Sequence, residues 1–326
     1  MLLTAGSEIT GYSLPTPTTP SLFELTQTYH DITSLEGDIR DYETISKAIK
    51  DFRPDIVLHL AAQPLVRYSY KEPAMTYEVN VMGTVNILDA VRKTDSVVSF
   101  LNVTTDKVYE NKEWVWGYRE NENLCGYDPY SNSKSCSELV TSSYRNSFFN
   151  ETETSVSTAR SGNVIAGGDF AEDRIIPDCI RSLAKGQEVM IRNPYSTRPY
   201  QHVLECLSGY LLLAQKQYSN KSYEGAYNFG PDPTSYISNE YLVDTFCKLW
   251  GPDASWSAVE GEGPHEANIL KLDSSKAKST LGWAPKWGIK TSIEKIVSWT
   301  KRYLDGEDCA SITDRQISDY LEHNNV

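Results

Sequence analysis

The chain has 326 residues, 40% of them hydrophobic and 23% charged. That is enough apolar material for one large or two ordinary domains, and it excludes wholesale disorder. Thirty-one basic residues against 44 acidic ones give a net charge of −13, which argues against general binding of nucleic acid or an anionic membrane surface while leaving room for a local arginine cluster that grips an anionic small molecule.

Six cysteines, at 125, 136, 179, 206, 247 and 309, form no Cys-x-x-Cys pair, and no His–Cys cluster has zinc spacing. No apolar stretch approaches the ~20 residues of a membrane helix, and Met1-Leu2-Leu3-Thr4 has no basic region leading into an apolar run. The expectation is a cytoplasmic protein with free thiols and no metal. In that compartment the glycosylation-type triplets at Asn102, Asn150 and Asn220 carry no weight.

In chain order, Pro54-Asp55 leads into the apolar run 56–61, which suits a buried parallel strand. Residues 76–92 have helical spacing at Val81, Val85, Leu88 and Val91. A strand is expected over Val97–Val103, a helix over Pro129–Phe149, and a further strand over Ser155–Ala159 ended by Gly162. After Gly167-Gly168, prolines at 177, 194, 199, 231 and 233 punctuate short elements. A helix at about 203–217 and a strand at 226–229 return to the main sheet, and helices near 291–304 and 312–322 close the chain. Strands alternating with helices imply an α/β fold with a Rossmann-type doubly wound parallel sheet and a smaller C-terminal α/β lobe. Ligands of such sheets bind at the carboxyl ends of the strands, where Thr104-Thr105-Asp106-Lys107 falls.

Tyr130 and Lys134 lie at i and i+4, hence on one helix face. An ammonium near a phenol lowers its pKa from ~10 toward neutral. Such a tyrosine can take a proton from a sugar hydroxyl while hydride leaves the same carbon. Tyr-x-x-x-Lys is a weak signal alone and a stronger one beside Thr105 at the preceding strand end. These residues resemble the extended short-chain dehydrogenase/reductase family. The stretches His59–Arg67, Asn80–Thr84, Glu113–Asn121 with its Trp-Val-Trp-Gly-Tyr-Arg, Tyr127–Lys134, Arg160–Asp169, Ile191–Pro199 and His265–Ala267 are similar to the bacterial CDP-glucose 4,6-dehydratases. The resemblance runs almost from end to end.

It implies that Thr105, Tyr130 and Lys134 oxidise the fourth carbon of glucose with bound NAD. Asp106 then protonates the hydroxyl leaving the sixth carbon, and hydride returns to that carbon. Lys107 stands where many sugar-nucleotide dehydratases have a glutamate base. It acts either as an amine base or as a cation stabilising the developing enolate. For the cofactor, the resemblance implies contacts from Asp38, Ile39, Leu60, Ala61, Ala62, Gln63, Asn80 and Thr104, together with Tyr130 and Lys134. Read without the family, Asp38 caps a helix before Tyr42, and Asn80 is a polar core residue. Thr105, Asn163, Arg174, Arg192, Arg198 and His265 resemble the nucleotide-sugar contacts, Arg198 being best suited to phosphate; each arginine taken singly is a solvated surface residue. Trp114 and Trp116 are either core packing or the lining of a sugar site.

The implied organisation is an NAD-binding domain over 1–165 plus about 200–232, with a substrate lobe over about 166–199 and 233–326. The enzyme would be a homodimer or dimer of dimers paired through helices at about 76–93 and 129–149, and its product would feed surface-polysaccharide (O-antigen) synthesis. The chain departs from the family at its start. Met1–Gly6 resembles the end of the helix that follows the glycine-rich turn, so the family's first strand and main phosphate-binding loop are not in it. Glu8–Leu14 resembles the family's second strand. The expectation is that the start codon was placed too late, the alternatives being a truncated gene or a degenerate paralogue, and that the 326-residue polypeptide binds NAD weakly or not at all. No acidic residue ends the 8–14 strand, Pro15 following Leu14, so NAD over NADP rests on the resemblance. The rivals are another sugar-nucleotide dehydratase or a 4-epimerase of the same family, and a non-catalytic binding or scaffold protein.

Overall fold

The computed structural model describes residues 1–259 and 269–322. In chain order its first half contains strands β1 (Thr10–Ser13) and β2 (Thr33–Glu36), helix α1 (Tyr42–Phe52), β3 (Ile56–His59), helices α2 (Val66–Lys71), α3 (Pro73–Tyr77) and α4 (Gly83–Val91), β4 (Ser99–Val103), α5 (Pro129–Tyr144) and β5 (Ser155–Arg160). The second half adds α6 (Ile175–Leu183), β6 (Val189–Ile191), β7 (Thr197–Pro199), α7 (Val203–Ser219), β8 (Ala226–Asn228), β9 (Tyr236–Ser238), α8 (Asn239–Trp250), β10 (Trp256–Ala258), α9 (Ile289–Leu304) and α10 (Cys309–Glu322).

Four parallel strands form the main sheet in the order β8-β5-β4-β3. Ile56 pairs with Ser99, Val103 with Ala159, and Asn228 with Arg160. The two central strands are covered on both faces, and Phe100, Leu101 and Val156 are fully buried, as helices on both sides of a parallel sheet require. Those strands also bury polar side chains, and each has a partner. Ser99 donates to the Ala214 carbonyl, Asn102 donates to Ser137 and Thr141, and Ser157 donates to Gln217. A sheet of mixed composition stays stable in a dry layer when its hydroxyls and amides are bonded to the covering helices.

β1 and β2 form a separate parallel pair, with Thr10 opposite Thr33. Between β1 and β3 the described residues supply no strand. A cleft of about 2000 Å³ runs there, lined by the edges 10–14 and 56–60, by Ile45, Ile49 and Phe52 of α1, and by Leu211 and Leu212 of α7. The order across the molecule is β2-β1-cleft-β3-β4-β5-β8, a doubly wound arrangement whose direction of winding reverses at the cleft.

Two expected helices are interrupted. A π-turn, Glu78–Met82, separates α3 from α4, and a second, Arg145–Phe149, follows α5. The first carries Asn80, whose side chain bonds the Gln63 main chain in both directions, accepting from its N–H at 2.8 Å and donating to its carbonyl at 3.1 Å. The widened turn aims a buried polar side chain, a recurrent use of π-bulges. β2 and α2 have no counterpart among the expected elements, while α1 is the helix expected at Tyr42; β2 is exposed at every residue and carries no hydrophobic pattern. The second lobe packs Ile176, Leu183, Val189, Phe246 and Ile293 into one core, with β6 paired parallel to β10 and β7 antiparallel to β9. No helix among the described residues is long and apolar enough to cross a membrane.

Phe100, at the centre of β4 with no exposed surface, sets a test of this core. Phe100→Ala is expected to lower the unfolding free energy by about 3–5 kcal/mol in urea titrations.

Candidate active site

β4 ends at Val103, and the chain turns at once into a short 3-10 turn, Asp106–Val108, capped by the Thr105 hydroxyl. Two main-chain bonds tie this segment to β5: Thr104 N–H to the Ala159 carbonyl at 2.9 Å, and Asp106 N–H to the Ser161 carbonyl at 3.1 Å. The hydroxyl of Thr105 donates to the Asp106 carboxylate at 3.0 Å. Lys107, 30% exposed, places its ammonium 3.5 Å from the same carboxylate oxygen. Asp106 itself is fully buried. Its other oxygen has no partner among the described residues and lies over Gly162, where any Cβ would overlap it.

α5 brings the second half of the site. Asp128 caps it by accepting from Ser131 N–H, and Pro129 opens it, a pairing that suits a helix start. Ser69 of α2 accepts from Tyr130 N–H at 3.1 Å. The Tyr130 phenol is buried, with Thr105, Asp106 and Arg174 close enough to act on its ionisation. The structure therefore unites Thr105, Asp106, Lys107 and Tyr130 at one strand end. Lys134 is buried one turn further on and donates to the Val103 carbonyl at 3.1 Å.

The expected charge state of the phenol is not found. Burial pushes Tyr130 up to about 12; Thr105 and Arg174 pull it down and Asp106 pushes it up. Lys134 does not set it, because its ammonium is turned to the end of β4. Burial lowers Lys134 itself to about 8, against the opposing pull of Glu138. In this state Tyr130 is a neutral phenol and Lys134 titrates close to physiological pH.

The cofactor-side residues separate into two groups. Ile39, Leu60 and Ala61 line the large cleft. Asn80, Gln63 and Thr104 are buried and engaged with protein. Asn80 also donates to Ser133 at 2.9 Å, Gln63 bonds Leu65 and Thr76, and the Thr104 hydroxyl donates to Glu138 at 2.5 Å. Ala62 follows Ala61 in the same strand-end segment, half-buried. Asp38 does not cap α1; Asp41 does, accepting from Thr44 N–H. The Asp38 carboxylate is bound by Arg40 at 2.6 Å, which holds it below the usual carboxylate range.

Of the anion-binding candidates, Arg174 pairs with Asp169 at 3.1 Å and Arg192 with Asp173 at 3.5 Å. Both are about two-fifths exposed, so neither reading of them, ligand contact or surface residue, conflicts with its surroundings. Arg198 is buried and donates to the Thr197 carbonyl. Asn163 adopts a left-handed conformation, φ 48°, with its side-chain oxygen buried and unpartnered among the described residues. His265 lies outside the described residues. Trp114 stacks on Tyr118 at 5.4 Å and Tyr118 on Tyr109 at 5.2 Å, while Trp116 is 67% exposed. The tryptophan pair is thus the outer end of an aromatic column, half packing and half surface.

Three residues not expected from sequence belong to this region. Glu138 and Arg160 form a buried ion pair beneath the strand ends. Arg67 of α2 approaches Asp173 at 3.8 Å, beside Arg192. For Glu138 a signal existed: it stands four residues after Lys134, on the same helix face. Among the described residues no His/Cys/Asp/Glu cluster could hold a metal.

A parallel sheet interrupted at its reversal point, with a buried Tyr and Lys on one helix beside a strand-end threonine, defines the class: a Rossmann-type protein of the short-chain dehydrogenase/reductase kind. Residues 1–229 match the family model described as GDP-mannose 4,6 dehydratase, and the chain belongs to that family. It is 50% identical over 323 residues, 97% of this chain and 90% of the relative, to the CDP-glucose 4,6-dehydratase of Salmonella typhimurium. It is 27% identical over 275 residues, 82% of this chain and 76% of the relative, to the dTDP-glucose 4,6-dehydratase of Streptomyces antibioticus. Among solved structures, UDP-glucose 4-epimerase of Thermotoga maritima superposes with a TM-score of 0.80 at 22% identity, covering 93% of this chain and 94% of its own. The dTDP-glucose 4,6-dehydratase of Streptomyces venezuelae, solved with NAD bound, superposes with a TM-score of 0.79 at 22% identity, covering 92% of each chain. At such identities the superpositions establish the fold.

Gly162 is the most exacting position of the site. Gly162→Ala is expected to force the Asp106 carboxylate off its bonds to Thr105 and Lys107, lowering stability by about 1–3 kcal/mol in urea unfolding.

Proposed function

We propose that this chain is a CDP-glucose 4,6-dehydratase, an NAD-dependent hydro-lyase that converts CDP-glucose to CDP-4-keto-6-deoxyglucose. One observation carries the reading. In a chain half identical to such an enzyme over 97% of its length, the Tyr130 phenol meets Thr105 and Asp106 in a single buried site. Asp106 and Lys107 together favour dehydration over 4-epimerisation, which needs the tyrosine and lysine but neither of the other two.

The residues present fit a dinucleotide. The cleft between β1 and β3 reaches the strand ends where dinucleotides bind on doubly wound sheets. It opens at the carboxyl ends of β1 and β3, lined by Leu14, Leu60 and Ala61. Asp38 and Ile39 would hold the adenine end, Leu60–Gln63 would run beneath the cofactor, and Lys134 would reach the ribose beside Tyr130. Asn80 and Thr104 support that surface through Gln63 and Glu138. Bound there, NAD would supply the reversible hydride acceptance that an oxidation at the fourth carbon and a reduction at the sixth require.

The chain's own residues supply the proton steps. Thr105 fixes the fourth hydroxyl and Tyr130 takes its proton as the phenolate, which forms once positive charge in the bound state lowers a pKa that burial holds near 12. The ammonium of Lys107, already ion-paired with Asp106, suits stabilisation of the enolate formed at the fifth carbon. The proton lost from the fifth carbon passes to the Asp106 carboxylate beside that ammonium, and the acid so formed gives it to the hydroxyl that leaves the sixth carbon as water. Asn163, Arg174, Arg192, Arg198 and His265 receive the nucleotide diphosphate; the 3.8 Å approach of Arg67 to Asp173 adds a further cation to that side.

We divide the chain into an NAD-binding part, 1–165 with about 200–232, and a substrate lobe made of the remainder. Six unpaired cysteines support a reducing cytoplasmic setting. Exposed Met82, Leu139 and Phe148, on the α3–α4 and α5 segments, support pairing of two copies through those helices. The product would serve surface-polysaccharide synthesis, as deoxysugar nucleotides do.

Incubation with CDP-glucose is expected to give the 4-keto-6-deoxy product, and Tyr130→Phe to lower turnover by at least about 100-fold. Product from dTDP- or UDP-glucose but not from CDP-glucose would shift the reading to another nucleotide-sugar dehydratase. Lys107→Met is expected to abolish solvent-deuterium entry at the fifth carbon, measured by mass spectrometry; near-native exchange would remove Lys107 from the chemistry.

A further inference from the structure

Beneath the catalytic strand ends lies a charged cluster that the proposed chemistry does not use. The Glu138 carboxylate and the Arg160 guanidinium are each only 3% exposed and meet in a bidentate pair, Nε to Oε1 at 2.9 Å and Nη2 to Oε2 at 2.8 Å. The same carboxylate accepts from the Thr104 hydroxyl at 2.5 Å and from the Thr158 hydroxyl at 2.8 Å. One side chain of α5 thereby gathers the ends of β4 and β5. The remaining guanidinium nitrogen of Arg160 donates to the Tyr109 hydroxyl at 2.8 Å and to the Glu120 carbonyl at 3.1 Å, and Tyr109 in turn donates to Asn228 of β8 at 2.7 Å. Every charge in the cluster is bonded, the condition under which a buried pair is tolerated.

Its position ties it to catalysis. Tyr130, Lys134 and Glu138 follow one another at intervals of four on α5, and Thr104 immediately precedes Thr105. We infer that Glu138 is a positioning residue of the active site: its carboxylate locks the helix face bearing Tyr130 and Lys134 to the strand end bearing Thr105, and supplies the negative charge against which the Lys134 ammonium is held. The inference rests on the active-site reading above.

The charged and titratable groups around that face are His59 from β3, Asp106 and Lys107 after β4, Arg160 at the end of β5, and Arg174 near Tyr130. Glu138, which stands on the same face, raises the pKa of Lys134 and opposes the burial that lowers it. His59 is itself driven down to about 3 by burial and by Lys134, so it is neutral and offers no compensation. The sign follows. Removing the carboxylate leaves burial unopposed, the lysine pKa falls, and at neutral pH the amine loses its proton.

The test reads Lys134 directly and requires no turnover, so it can fail independently of the dehydratase reading. The full chain is labelled with ¹³C-lysine, and the Lys134 resonance is assigned by its loss in Lys134→Arg. The native midpoint is expected near 8. In Glu138→Gln it should fall by at least about one pH unit, and Glu138→Asp should restore it. Because Glu138→Gln strands a buried guanidinium, Glu138→Met with Arg160→Met is the companion variant. An apolar pair of similar volume often restores stability lost by breaking a buried ion pair, and here the lowered Lys134 midpoint should persist in it. A double variant that folds with the native midpoint overturns the inference. So does one that fails to fold, because the pair would then be a requirement of the fold and no device of the site.

Discussion

The site depends on how α5 is held against the ends of β4 and β5. That helix is poor in apolar residues on its buried side: Ser131, Ser133, Ser135, Ser137, Glu138 and Thr141 all face inward. Hydrophobic burial alone would leave such a helix free to slide or rotate over the sheet. Directional bonds remove that freedom. Ser137 meets Asn102 of β4 and Thr84 of α4, Ser133 meets Asn80, Ser135 reaches the Val108 carbonyl, and Glu138 reaches both strand ends. A polar interface of this kind is stable only when every member is satisfied. The reward is registry: Tyr130 can be placed against Thr105 because its helix has one seating.

The sequence disclosed some of this and concealed the rest for identifiable reasons. The apolar run at 56–61 and the alternation of strands and helices across 97–160 reflect full burial in a parallel sheet, and they become β3, β4, α5 and β5 within a residue or two at most ends. β2 escaped notice because an exposed edge strand of Thr-Ser-Leu-Glu has no pattern to read. The two π-turns escaped because they preserve helical spacing while shifting one turn, a change that only tertiary bonds such as Asn80 to Gln63 can impose.

At the site, the proximity of some candidate residues was legible and their environment was not. Thr105, Asp106 and Tyr130 meet, as a Tyr-x-x-x-Lys motif one helix beyond a polar strand end suggests. The ionisation of Tyr130 could not be read, because it turns on burial and on the direction in which Lys134 points, and that direction is set by the Val103 carbonyl. Arg160 was hidden by type, since a charged residue in a sequence reads as surface until a structure shows it desolvated with a partner; for Glu138 the spacing from Lys134 was the one available signal. The helix cap at Asp41 rather than Asp38 is a smaller instance, since two acidic residues three apart before one helix compete for the role and only the backbone decides.

The gap between β1 and β3 has a consequence for handling the protein. Two parallel rows of amide N–H and carbonyl groups face each other across it without ladder partners among the described residues, flanked by apolar helix walls. Such rows are templates. Any extended segment rich in branched aliphatic residues can zip between them, whether from another copy, a chaperone substrate or an expression tag. The polypeptide's solubility would then vary with its concentration and its company.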